Sequence, residues 1–224
     1  MSAPDLQTLY TTLLLALTST AVLLMIAMPL AWWLARSRQR LVPIVEAVVA
    51  LPLVLPPTVI GFYLLLAFAP DGPIGSLSHA LGIGALAFTF EGLVIGSVIY
   101  SLPFAVQPLQ SAFSTLPRAP LEAAATLGAG PLDRYFSVAL PMAHRGLVAA
   151  VVLAFAHTIG EFGIVLMIGG NIPGETRVVS VAIYDYVEQL QLLEAHLLSA
   201  GTLLFSFVSL LLAYSLLRSR QRPQ

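Results

Sequence analysis

Few residues in this sequence could do chemistry, and the best of them sit inside apolar runs. His157 and Glu161 stand four apart in the stretch HTIGEFG. That spacing places both on one face of a helix. A histidine and a carboxylate can hold a metal or relay a proton, but no third ligand lies nearby in sequence, so no metal site is expected. Direct binding of an anion does not suit Glu161, because like charges repel. A polar partner inside a helix bundle, or near its outer mouth, suits it best. Gly160 and Gly163 would then permit tight packing or hinge motion. A second candidate is LPLVLPPTVIGF, Leu51–Phe62. Pro52, Pro56 and Pro57 each lack a backbone donor, and interior proline kinks a helix. Such a kink is either a packing feature or the lining of a solute path, where Thr58 would offer its hydroxyl. Pro103 and Pro108, beside Gln107 and Gln110, are a weaker case of the same pattern.

What the sequence lacks is equally informative. All 10 Lys+Arg are Arg, and Cys is absent. Without Lys there is neither a P-loop nor a Schiff base. Without Cys there is no disulfide, thiolate metal site or thiol nucleophile. Neither G-x-S-x-G nor H-E-x-x-H occurs. The chain therefore reads as a non-enzyme that cannot itself be a P-loop ATPase and needs no cofactor of its own.

The elements that position these residues are membrane spans. Of 224 residues, 58% are hydrophobic and 9% charged, and the mean hydropathy is +0.91. An ordinary soluble domain is roughly 25% charged. The net charge of −1 gives no reason to expect nucleic acid as a partner. A spanning helix needs about 20 mostly apolar residues. Segments of about 9–35, 41–69, 88–113, 145–168 and 195–217 qualify. The runs are continuous and not alternating, which excludes a β-barrel. The fold class is thus an all-α integral membrane bundle of about five helices, with residues 8–217 as one transmembrane domain. The start carries Asp5 and no Arg, unlike a secretory signal, so the first run reads as a retained span.

Arginine placement orients the bundle. Arg36, Arg38 and Arg40 lie between the first two runs, Arg118, Arg134 and Arg145 between the third and fourth, and Arg218, Arg220 and Arg222 after the fifth. Arg177 alone falls on the other side. The positive-inside rule then puts the N-terminus outside and residues 218–224 in the cytoplasm as a short tail. On the outer side, Gly169–Gln191 begins as turns and becomes a short amphipathic helix with Ile183, Tyr184, Val187 and Leu190 on one side. It would either rest on the membrane or receive a soluble partner.

One cytoplasmic segment stands apart from the apolar runs: LEAAATLGAGPLDRYFSVALP, Leu121–Pro141, within a loop over 114–141. Pro120 suits a first helical turn, with Glu122 at its positive end. Ala123, Ala124 and Ala125 favour helix, and Gly128 stops it. Pro131 starts a second short helix, which Pro141 is expected to end. Leu121, Ala124, Ala125 and Leu127 would form a small, nearly uncharged surface. Such a helix–turn–helix either docks a partner or lies on lipid as a connector.

Glu122-Ala123-Ala124, Gly128, and Val138-Ala139-Leu140-Pro141 at their spacing resemble the EAA loop of type I ABC importer permeases. Val138 stands where that family usually has Ile. The resemblance implies that Leu121, Glu122, Ala123, Ala124, Gly128, Leu140 and Pro141 belong to a coupling loop seated in a groove of a separate ATPase, which binds ATP and Mg. LPLVLPPTVIG, the GEFG at Gly160–Gly163 and NIPGETR at Asn171–Arg177 extend the likeness to the permease subunits of bacterial molybdate importers. GEFG-like segments also occur in sulfate permeases. Tungstate resembles molybdate in size and charge. The family implies a homodimer in the inner membrane, two ATPase subunits and a periplasmic oxyanion-binding protein facing Asn171, Pro173, Gly174, Glu175 and Arg177. Pro52, Pro56, Pro57, Thr58, Gly160, Glu161 and Gly163 would form the path or its hinges. An ion-coupled secondary transporter is the rival class; it would want internally repeated halves, and none is visible.

Overall fold

The computed structural model describes residues 3–219, and within them every regular element is helical. Helix α1 (Ala3–Arg36) is 34 residues long, about 50 Å at helical rise. Its packed stripe includes Ala16, Leu23, Ala27 and Ala31, all fully buried. Small side chains at such spacing bring neighbouring backbones close, and α1 lies against α5 (Phe90–Ser114) and α9 (His144–Gly160).

The second apolar run is two helices, α2 (Val42–Val54) and α3 (Pro57–Phe68), bent by 112°. The bend is a direct effect of consecutive prolines. A residue before proline is pushed out of the helical region; Leu55 takes ψ 140° and Pro56 takes ψ 137°. Pro52 does not contribute, since it sits inside α2, buried. Nor do Pro103 and Pro108 break α5, which is continuous through both. Between α3 and α5 lies a further short helix, α4 (Pro73–Ala80), in a stretch without a strong sequence signal. Thr89 caps α5, its hydroxyl accepting from the Gly92 amide at 3.2 Å.

The segment expected to couple to an ATPase folds as α6 (Arg118–Thr126), α7 (Pro131–Asp133), a π-helical stretch (Arg134–Ala139) and α8 (Leu140–Met142). Glu122 falls in the second turn of α6, because the helix begins at Arg118. Pro141 does not end the second helix as expected. The chain stays helical to Met142 and bends by 76° into α9. The widened turns absorb the proline: Leu140 donates back to the Tyr135 carbonyl, five residues earlier.

The run over 145–168 is likewise not one helix. It ends at Gly160 and resumes as α10 (Gly163–Gly169). Then follow α11 (Val179–Glu188) and α12 (Leu192–Ser219). In α11 the packed residues are Val179, Val181 and Ala182. Tyr184 and Val187 point outward, and Leu190 lies past the helix end, so the apolar side expected at Ile183–Leu190 is not the packed one.

Among the described residues, three helices are long and apolar enough to cross a membrane, Leu6–Arg36, Phe90–Ser114 and Leu192–Leu211, or up to five spans if each bent pair counts as one. The expected tail lies in part outside the described residues. Two buried clusters fill the bundle. One gathers Leu23, Val106, Leu109, Phe113, Leu121 and Tyr135 at the Arg-rich end. The other gathers Leu64, Phe68, Leu93, Ile164 and Ile168 at the opposite end.

Candidate functional site: a polar knot between broken spans, and a coupling loop

The break after α9 is organised around Glu161, whose side chain is fully buried (0% exposed). Ser97 donates to Glu161 Oε2 at 2.5 Å and Ser101 donates to Oε1 at 2.7 Å. His157 Nδ1 lies 3.3 Å from Oε1. Ser101 Oγ also lies 2.9 Å from His157 Nδ1. The one Ser101 proton is used on Glu161, so His157 must be the donor there, which assigns its proton to Nδ1. The His157 ring stacks on Phe104 at 3.9 Å between centroids. A buried carboxylate is tolerable only when hydrogen bonded, and here two serines of α5 and a histidine of α9 supply that. The Glu161 carbonyl, freed by the break, accepts from the Ser180 hydroxyl of α11.

The two broken spans meet at this point. A Cβ on Gly163 would stand 3.0 Å from Pro57 Cβ, and one on Gly61 would stand 2.8 Å from Met167 Cβ. Glycine is needed for this approach of α3 and α10. Gly160 differs: nothing lies within 4 Å of a Cβ there, so close packing does not explain it. A cavity of about 470 Å³ opens beside the knot, lined by Pro57, Thr58, Tyr100, His157, Glu161 and Gly163. Thr58 is exposed. Pro52 does not line this cavity. Its polar groups are hydroxyls, an imidazole and one already satisfied carboxylate. That wall can contact a polar solute but holds no cation to trap an anion.

The coupling segment has the opposite character. Leu121 is buried (9% exposed) against the core of the Arg-rich end, so it leaves the small outer surface expected of it. Glu122, Ala123, Ala125 and Gly128 are exposed, Ala124 is half-buried, and Leu127 is 88% exposed. Leu132 and Phe136 add exposed apolar area at 74% and 59%. Gly128 has φ +90°, a conformation that other residues rarely adopt. Leu140 is half-buried and Pro141 exposed.

Residues 8–222 match the family described as the binding-protein-dependent transport system inner membrane component. The chain belongs to this family. It is 56% identical over 215 residues to the molybdenum transport system permease protein ModB of Azotobacter vinelandii, covering 96% of this chain and 95% of that one. It is 41% identical over 169 residues to the protein of the same description from Mycobacterium bovis, covering 75% and 64%. Its fold is similar to a chain of a bacterial ABC transporter that imports the acidic polysaccharide alginate, with TM-score 0.73 and 18% identity over 99% of this chain and 82% of that chain.

At the far end of the permease, NIPGETR forms a tight turn. Asp185 of α11 pins both sides of it. Asn171 Nδ2 donates to Asp185 Oδ2 at 2.6 Å, and Arg177 Nη2 lies 3.2 Å from the same oxygen. Thr176 donates to the Gly169 carbonyl and accepts from the Ile172 amide. Pro173, Gly174 and Glu175 project from the turn, while Asn171 and Arg177 brace it from within. Sequence reasoning missed Ser97, Ser101, Ser180 and Asp185. Ser97 and Ser101 are four apart on α5, the same spacing as His157 and Glu161, and that shared period is the signal that would have found them.

Proposed function

We propose that this chain is the membrane-spanning permease subunit of an ATP-driven, binding-protein-dependent importer that carries molybdate, with tungstate as a near-equivalent cargo. The observation that carries the reading is identity of 56% across nearly the full length of a molybdenum transport permease. The sequence supports the division of labour, because a chain without Lys cannot build a P-loop. ATP and Mg are then bound by two separate ATPase subunits against the exposed Glu122–Gly128 face, Leu132 and Phe136. A second copy of this permease completes the pore, and a periplasmic protein delivers the dianion at the Pro173–Glu175 turn. The nine arginines clustered in sequence on one side support an outer N-terminus and a cytoplasmic C-terminus.

In the transport step the ATPases close and pull α6. The pull passes through α8 and the bend at Ala143 into α9, and the spans tilt between inward- and outward-facing forms. The cavity at Thr58 and His157 gives hydroxyl and imidazole contacts without a fixed cation, which keeps binding weak enough for release. The test is uptake of labelled molybdate by cells that lack their own importer and express this chain with its neighbouring ATPase and binding protein. Uptake that needs the ATPase and withstands excess sulfate supports the reading. Uptake abolished by sulfate moves the cargo to sulfate, and uptake independent of the ATPase rejects the importer class.

A further inference from the structure

At the Arg-rich end, between the end of α1 and the coupling loop, lies a cavity of about 370 Å³ lined by Trp32, Arg36, Arg118, Glu122 and Arg134. Three guanidinium groups face a single carboxylate there. Among the described residues, no ion pair joins any of the three to an acid. Nε and Nη2 of Arg36 and Nε of Arg134 are buried and meet no acceptor among the described residues. Arg36 is nonetheless held in place, its guanidinium carbon 4.8 Å above the Trp32 ring. The buried carboxylate of Glu161 is treated differently, since both of its oxygens are hydrogen bonded. Unmade donors and crowded like charges are both costly. An oxyanion in the cavity would offset the crowded like charges, because its several acceptors match the planar fork of arginine.

We propose that this cleft binds a phosphate-type oxyanion. The anion comes either from the headgroup of an anionic lipid or from free phosphate in solution. Its place at the end of an apolar helix fits a headgroup. Helix α1 is apolar from Leu6 until Arg36 ends it, and a tryptophan beside arginines at a helix end is what an interface favours. The bound anion would touch α1, α6 and the π-helical stretch together. Occupancy would then clamp the coupling loop onto the first span. This inference does not depend on which cargo the permease carries, and its readout is not transport.

The test uses the assembled importer in nanodiscs and follows thermal unfolding of the permease. One set of discs is phosphatidylcholine alone, and a second adds phosphatidylglycerol. Inorganic phosphate is titrated into the first set. The expected result is a rise in Tm of about 2–4 °C with an anion that binds the folded state. Arg36→Gln and Arg134→Gln should lose that rise, while Arg38→Gln and Arg40→Gln keep it. Arg134→Lys retains charge without the fork, so its rise should fall by more than half; it serves where Arg134→Gln does not insert. A rise with phosphatidylglycerol that phosphate does not reproduce assigns the headgroup, and a rise with phosphate alone assigns the free anion. No rise from either overturns the proposal, and is the result expected if an ATPase carboxylate fills the cleft. Equal losses in Arg38→Gln and Arg134→Gln also overturn it, since they would mean a diffuse surface-charge effect.

Discussion

The knot at Glu161 and the loop at Glu122 each contain a carboxylate near a glycine, one at a helix break and one within a helix, yet they are built on opposite terms. Glu161 is closed: two serine hydroxyls and a histidine surround it, and even its backbone carbonyl has a donor. Glu122 is open, exposed like Leu127, Leu132 and Phe136, and it lines a cleft with Arg36 and Arg134, three of whose nitrogens meet no acceptor among the described residues. The first region is complete within one chain. The second leaves apolar and charged groups uncovered within the chain. A membrane protein makes internal hydrogen bonds where lipid or a dry interior would punish their absence.

The comparison can be broken from either side. The largest effect is expected at the open site. Gly128→Asp places a side chain at φ +90°, which costs about 1–2 kcal/mol locally and reshapes the turn the ATPase would grip. Nothing lies within 4 Å of the new Cβ, so the protein should still insert. Uptake should fall at least about tenfold, the loss that some 1.4 kcal/mol of coupling energy represents. Glu122→Arg should act in the same direction. Normal uptake by either variant with its ATPase bound would dismiss the docking assignment.

Next is the closed site. Ser101→Ala removes the hydroxyl that serves Glu161, His157 and Thr158 together. It should cost about 1–3 kcal/mol, read as a lower Tm in detergent; an unchanged Tm would mean that the knot is not structural. Gly163→Ala sets a methyl 3.0 Å from Pro57 Cβ and should cost about 1–3 kcal/mol by overpacking. A second substitution that shortens the opposing contact, Pro57→Gly, should relieve the clash but loosen the bend, and the double variant compared with each single reports the coupling. The smallest effect is expected at the outer turn. Asp185→Asn weakens the hold on Arg177, a pair whose side chains are 19% and 21% exposed, and should cost less than about 1 kcal/mol. Its mark would be a several-fold weaker association with the binding protein and little change in Tm.

How much of this was readable beforehand depends on the physics of each region. The all-α membrane class follows from long continuous apolar runs, because nothing else satisfies the backbone in lipid. The bend between α2 and α3 is readable because Pro56-Pro57 acts through local sterics. The break at Glu161–Phe162 is not, since the groups that meet it, the Ser180 hydroxyl and Pro57, are distant in sequence. Pro141 misleads for a related reason: widened turns upstream absorb it, and such turns have no residue signature. In the loop over 114–141, composition marks the segment and Pro120 does fall in the first turn of α6, but nothing local tells that Leu121 turns inward, because its neighbours in the core, Trp32, Phe113 and Tyr135, lie elsewhere in the chain. The arginine cleft was invisible as a cleft. Arg36 and Arg134 are far apart in the chain, and their sign served only to orient the bundle.

The hydrogen bonds at Glu161 have a mechanical consequence. Ser97 and Ser101 belong to α5, His157 to α9, and Ser180 to α11, so one residue rivets three helices at a single height. A lever arm riveted this way swings as a unit. Regular helix is interrupted outside the rivet at Leu55–Pro56 and at Ala143. If the proposed ATPases move the loop over 114–141, those two bends are where the tilt would be taken up, and the riveted helices would move as one stiff body.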